Sequence, residues 1–365
     1  MSFGFSMDSN SLVQKTSDLT TTIKARAVEL GYYEDEFIDK FVETSSQATL
    51  MTIVHVVRSN AFRLVLDKFI ESFPDQTVQF VNLGAGFDTI SFYALKKYPN
   101  VICFDTDFDD QMKTKSKIIY ENDCFKQLLP DLKLENGFIT SNRYKIVPFD
   151  LSNLNDFNNL INAGLSPKYP TLYMAEFVFM YVKSEYVNEM LLPTEVTKFY
   201  NKVLSSAGVK VYGPLEYPSI ESQIQRYSKR WNVKMVCYSE FYNMNTSEEE
   251  KKRIIVILHM DNVFQELEDF KDMRELGVFC SHFFVTVLYK HELSKVLELF
   301  NVDDYNYVVR GEYDIPFGLK FDYNTEFNIN CFNKIFIGNV DLEEILYRSE
   351  TDSNSSFLNE FNVKT

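Results

Sequence analysis

The run Val78-Gln-Phe-Val-Asn-Leu83, followed at once by Gly84-Ala-Gly86, constrains this chain more than any other stretch. Residues of strand character feed two glycines one position apart, and Ile90, Phe92, Tyr93 and Leu95 then recur in a helix-like pattern. Glycine allows a tight turn at the carboxyl end of a strand and lets a ligand approach the main chain closely. Doubly wound α/β proteins hold nucleoside-bearing cofactors in this way. The dinucleotide fingerprint asks for a third glycine or alanine three residues after Gly86, and Thr89 stands there. The turn alone is therefore a weak signal, and its surroundings must decide its use.

Those surroundings alternate strongly. After a helical prologue (patterns at 20–30, 34–42 and 48–72), strands are expected at Val78–Leu83, 101–104, Tyr144–Pro148, Thr171–Ala175 and 209–212. Helices are expected between them, at 109–120, 154–163 and 194–204, with a less regular insertion at 125–141. Strands alternating with helices indicate right-handed βαβ units and a parallel sheet covered on both faces. A helix at 219–229 leads to Asn232–Cys237, and the long apolar stretch 278–289 suits a last antiparallel strand. The fold class is thus α/β and Rossmann-like, a mostly parallel sheet with a last antiparallel strand and an N-terminal helical cap. The boundaries read as a flexible leader at 1–18, one catalytic-type domain at 19–299, and an irregular C-terminal extension at 300–365.

With 37 basic and 52 acidic residues the net charge is −15, which disfavours nucleic acid as a partner. The short basic clusters at 113–117 and 251–253 read as solvated helix faces. Five scattered cysteines (Cys103, Cys124, Cys237, Cys280, Cys331) lack C-x-x-C spacing, so reduced thiols in a cytoplasmic setting are expected. No secretory signal and no apolar run of about 20 residues is found, so no membrane role is expected. His55, His259, His282 and His291 show no metal-ligand spacing. A calcium loop at Asp105, Asp107 and Asp109 fails because Asp110 replaces the turn glycine and Ser116 the final glutamate.

Three acids stand where strands end. Asp107 follows Gly86 by 21 residues, the spacing at which an acid hydrogen-bonds ribose hydroxyls in nucleotide-binding α/β folds. Asp150 closes the third strand and Glu176 the fourth. A single strand-end Asp is usually a turn or cap residue. Three of them behind a Gly-x-Gly turn favour a cofactor pocket.

The string Phe80-Val-Asn-Leu-Gly-Ala-Gly-Phe-Asp-Thr89 closely resembles the leucine carboxyl methyltransferase family. Further pieces follow in the family's order: Lys24 ahead of Leu30-Gly31-Tyr32, Arg58, Asp107 in Asp-Thr-Asp-Phe, and Arg143-Tyr144 with Asp150-Leu151. Pro170-Thr-Leu-Tyr-Met-Ala-Glu176 with Tyr181, the segment 220–226 and the segment 279–285 complete the series. The resemblance spans roughly residues 20–290 and departs at 213–218, where the family usually carries a longer Asp-x-Phe-Gly-x-x-Met stretch.

The resemblance implies an S-adenosylmethionine cofactor. By it, Lys24 and Arg58 hold the cofactor's carboxylate, Gly84 and Gly86 accommodate its methionine part, and Asp107 takes its ribose. Asp150 and Leu151 flank the adenine, Glu176 lies near the sulfonium and amino group, and Tyr181 is a candidate for aligning the substrate. The physical reading agrees, because a ligand carrying both signs of charge needs a pocket with both. The implied acceptor is the C-terminal leucine carboxylate of the type 2A protein phosphatase catalytic subunit. That group is already ionised at neutral pH, so no catalytic base is required and rate comes from alignment and exclusion of water. Two other readings stay open: a sister branch that methylates a carboxyl on a wybutosine-type tRNA base, and a non-catalytic phosphatase-binding scaffold. A monomer without metal is expected.

Overall fold

The computed structural model describes residues 9–42, 50–181, 220–229, 231–253, 280, 283–291, 293–301, 312–315 and 319–322. The expected strand at 209–212, the helix at 194–204 and the departure at 213–218 lie outside them.

Helix α1 (Ser9–Glu29) starts eleven residues before the position expected from the apolar pattern. The residues ahead of Thr20 are Ser-, Thr- and Asn-rich, which weakens the helix signal. The Thr21 and Thr22 hydroxyls donate instead to the helix's own carbonyls at Ser17 and Asp18, at 2.7 and 2.9 Å, and so stay compatible with it. The boundary set at residue 19 therefore falls inside α1. Gly31 ends the helical region at φ +79°, donating to Val28 O while Tyr32 N–H reaches Ala27 O.

The helix expected at 34–42 reduces to one 3₁₀ turn, Ile38–Lys40. The Asp35 carboxylate accepts the N–H groups of Phe37 and Ile38 at 3.0 and 3.2 Å, and this fixes a turn rather than a longer helix. Helix α2 (Leu50–Glu71) is buried without interruption from Thr52 to Ser59. A helix buried on every face belongs in the centre of a layer, and α2 packs against α1 and later helices.

The sheet comprises β1 (Val78–Leu83), β2 (Val101–Asp107), β3 (Lys133–Glu135), β4 (Phe138–Thr140), β5 (Tyr144–Pro148) and β6 (Thr171–Ala175). Its order is β3-β4-β5-β2-β1-β6, with β5, β2, β1 and β6 mutually parallel. Helices α3 (Ile90–Lys97), α4 (Asp109–Glu121), α5 (Asp123–Leu128) and α6 (Phe157–Asn162) connect the strands. Alternation along β1 divides its side chains between two cores. Val78 and Phe80 join the large core that includes α1, α2 and α3 residues, whereas Val81 joins Phe104, Val147, Phe149, Leu160 and Leu165 on the other face.

The insertion expected to be irregular instead forms the β3–β4 hairpin. Asn136 and Gly137 both take positive φ, +53° and +88°, as a two-residue turn between antiparallel strands requires.

Farther on, helix α7 (Ile220–Ser228) precedes β7 (Asn232–Cys237), helix α8 (Tyr238–Asn245) follows it, and β8 (Phe284–Tyr289) pairs antiparallel with β7. The last antiparallel strand is thus present and shorter than 278–289. Among the described residues β8 bonds to β7 and not to the six-stranded sheet. The segment after residue 299 is not wholly irregular: Phe300 is buried with its ring edge-on to Phe241, and β9 (Glu312–Ile315) pairs antiparallel with β10 (Leu319–Asp322).

Candidate functional site

The chain runs outward from β1 through β2 to β5 and then returns to β6 on the other side of β1. That reversal leaves a crevice at the strands' carboxyl ends, where α/β sheets bind ligands. A cavity of about 160 Å³ lies there, lined by the segments that follow all four parallel strands and by α1 and α2. All the residues expected at the site (Lys24, Arg58, Gly84, Asp107, Asp150, Leu151, Glu176 and Tyr181) line it, except Gly86, whose N–H donates to Asp107 Oδ2 at 2.8 Å.

One end is a buried charge cluster. Glu176, next after β6, accepts from Arg58 Nε and lies 3.0 Å from Lys24 Nζ, which also reaches Asp88 Oδ1 at 3.2 Å. Burial pushes the Glu176 carboxyl up, but the Arg58 and Lys24 cations outweigh it and hold its pKa at about 2. Burial likewise works against charge on Lys24 and Arg58, and the facing carboxylates raise both above their ordinary values. The Arg58 guanidinium also sits 4.7 Å over the Phe177 ring, which stacks on Phe283 at 5.0 Å. Phe177 takes φ +61°, an uncommon conformation for a bulky side chain, and these ring contacts help to fix it.

The glycine turn forms the floor. Gly84 and Gly86 have φ of +65° and +43°. A Cβ on Gly84 would stand 2.4 Å from Val178, and one on Gly86 would stand 2.0 Å from Ser17 Oγ. Protein atoms thus crowd the space a side chain would need at both positions, and Gly84 also lines the cavity. Asp107 spans the turn, with Oδ1 accepting from Phe108 N–H at 2.8 Å and Oδ2 from Gly86. Burial raises its pKa, and the two backbone donors partly offset this.

Thr89, where a dinucleotide site would have its third glycine, is tied through Oγ1 to Asp35 at 2.5 Å, and Asp35 pairs with Arg63 at 3.0 Å. Beneath the turn, Lys115 and Asp105 form a fully buried pair at 2.6 Å, and Lys115 also donates to the Asp88 carbonyl at 2.7 Å. Ser91 and Tyr144 donate to the same Asp105 carboxylate. The far end is formed by Phe149, Asp150 and Leu151, and Asp150 Oδ1 accepts from the Ser152 N–H and hydroxyl at 2.8 and 2.6 Å.

Several lining residues escaped the reading of the sequence. Ser17, Thr20 and Thr21, in helical spacing with the expected Lys24 on α1, present one polar stripe to the cavity. That stripe was a usable signal. Asp88 stood inside the recognised string without a role. Gln111, on the first turn of α4, carried no signal at all. Arg143, part of the resemblance, is structural: it donates to the carbonyls of Val101, Leu95 and Tyr98. Among the described residues no cluster of His, Cys, Asp and Glu suits a metal ion.

A parallel sheet with its glycine turn at the switch point, an acid at the tip of the next strand and a mixed-charge cluster beyond defines an α/β site for a nucleoside-bearing ligand that carries both signs of charge. Residues 13–193 match the family model described as leucine carboxyl methyltransferase, the family whose resemblance the sequence carries. Its cofactor is S-adenosylmethionine, as the sequence led one to expect, and the cavity carries both charge signs for that zwitterion.

The leucine carboxyl methyltransferase 1 of Yarrowia lipolytica is 26% identical over 67% of this chain and 89% of its own length. The tRNA wybutosine-synthesizing protein 4 of Candida albicans is 21% identical over 76% of this chain; there the chain spans 44% of the relative's length. Among solved structures, a Haemonchus contortus phosphoethanolamine-type N-methyltransferase in complex with phosphomonomethylethanolamine and S-adenosylhomocysteine aligns with a TM-score of 0.40. Its identity is 10%, over 79% of this chain and 61% of that one.

Proposed function

We propose that this chain esterifies an already ionised carboxylate, and that its acceptor is the C-terminal leucine of the type 2A protein phosphatase catalytic subunit in the cytoplasm. The observation that carries this reading is the state of Glu176. Paired with Arg58 and Lys24 and held at about 2, it is no proton acceptor near neutral pH. A site whose Glu176 carboxylate is spent on ion pairs suits an acceptor that has no proton to lose, and a C-terminal carboxyl, with pKa of about 3.5, is one.

S-adenosylmethionine supplies an electrophilic methyl group on a sulfonium when bound. Lys24 and Arg58 pair with its carboxylate, Glu176 faces its cationic end, Asp107 accepts from ribose hydroxyls, and Asp150 with Leu151 borders the base. Tyr181, a lining residue near Arg58, orients the incoming carboxylate. These side chains align groups and exclude water; none has to move a proton.

The similarity to a wybutosine-synthesizing protein supports a second reading, a carboxyl on a modified tRNA base. A net charge of −15 weighs against it, because tRNA binding leans on phosphate contacts. Incubation with methyl-labelled cofactor and either the phosphatase subunit or hypomodified tRNA separates the two. The expected result is a base-labile label on the phosphatase that disappears when its terminal leucine is deleted. Label on the tRNA alone would refute the phosphatase assignment.

A further inference from the structure

Gln111 is the third residue of α4, and its side chain lines the cavity while its residue is only 7% exposed. Its amide nitrogen is buried and has no hydrogen-bond partner among the described residues. Buried amides are almost always paired, so an orphan facing a ligand cavity is a donor awaiting an acceptor. The placement says which part of a ligand that acceptor belongs to. The charge cluster occupies the β6 end of the crevice, and the glycine turn crosses its middle. Gln111 belongs to the helix that follows β2, and it shares the cavity lining with Phe149, Asp150 and Leu151, which follow the neighbouring strand β5. The two carboxylates of that region, Asp107 and Asp150, are acceptors and match hydroxyl or amino donors. Beside them the amide N–H supplies the opposite polarity. In an adenosine the groups that accept without donating in that region are the ring nitrogens of the base.

We propose that Gln111 donates its amide N–H to an adenine ring nitrogen of the cofactor, and so fixes the base in its pocket and selects for it. This assigns a specificity-determining residue to the site and rests on the cofactor reading above. A neutral hydrogen bond whose loss leaves a buried group unpaired is worth roughly ten-fold in affinity.

The test is calorimetric titration of the full chain and of Gln111→Leu with S-adenosylhomocysteine and with its 1-deaza, 3-deaza and 7-deaza analogues, each of which replaces one ring nitrogen by a carbon. The expected result is that Gln111→Leu binds S-adenosylhomocysteine about ten-fold more weakly. One deaza analogue alone should lose the same factor on the natural chain and nothing further on the variant. A variant that binds S-adenosylhomocysteine within two-fold of the natural chain overturns the assignment, as does a deaza penalty that is equal in both proteins. Should the variant not fold, the analogues on the natural chain still decide: equal affinity for all of them overturns it. A natural chain that takes up no S-adenosylhomocysteine at all defeats the cofactor reading itself, an outcome distinct from loss of the Gln111 contact.

Discussion

Glu176 stands between Arg58 and Lys24, so each of the three residues is buried with its charge compensated. Removing one member of a buried ion cluster leaves the others unpaired and is costly. Arg58→Ala should weaken S-adenosylhomocysteine binding by at least about thirty-fold by calorimetry, and Arg58→Lys should recover part of it; unchanged affinity would contradict the role given to Arg58. The cluster also predicts a pH dependence. The folded-state pKa of Glu176 lies at about 2, below the ordinary value of 4.5, so its stabilisation is present above 4.5 and is lost as pH falls from 4.5 towards 2. Melting temperature followed across that window should fall less steeply in Glu176→Gln than in the natural chain. Lys24, Arg58, Asp107 and Glu176 were legible because strand-end spacing and a family resemblance mark charged residues. Gln111 was not, since an amide on a helix's first turn has no spacing signature and its importance comes from burial alone.

At the scale of elements, the crevice is held by what lies behind it. Lys115 links Asp105, inside β2, to the carbonyl of Asp88 just beyond the glycine turn. Lys115→Met should destabilise the fold by about 3–5 kcal/mol because it strands a buried carboxylate. Adding Asp105→Leu should restore much of that loss in chemical denaturation, and a double variant no better than the single one would contradict the pairing. Gly84→Ala should cost about 1–3 kcal/mol from backbone conformation, with the Val178 contact adding to it. Val178→Ala in the same chain should return the steric part only, which denaturation of the single and double variants measures.

The β1 turn, the parallel strands and the crossover helices were readable from apolar runs and glycines. The β3–β4 hairpin also had its signal in Asn136-Gly137, but strands of three residues are too short to show alternation. The start of α1 was hidden because Ser and Thr report coil by propensity, whereas here they form a polar stripe that the cavity uses.

Across the whole molecule, two cores on opposite faces of one sheet keep the four strand ends in register, and α1 and α2 close the crevice from above. No helix among the described residues is long and apolar enough to cross a membrane. Cys103, Cys237 and Cys280 are buried, and burial pushes their thiols up. A ligand that occupies the crevice binds the folded chain alone, so it must raise the melting temperature by mass action. Thermal unfolding with and without about 1 mM S-adenosylhomocysteine is therefore the most direct test of the central claim, that this crevice is the cofactor site of a working methyltransferase. At roughly 100-fold excess over the dissociation constant the stabilisation is about 2.7 kcal/mol, a rise of several degrees, and Arg58→Ala should show almost none of it. An unchanged melting temperature in the natural chain, or an equal rise in Arg58→Ala, would contradict the account.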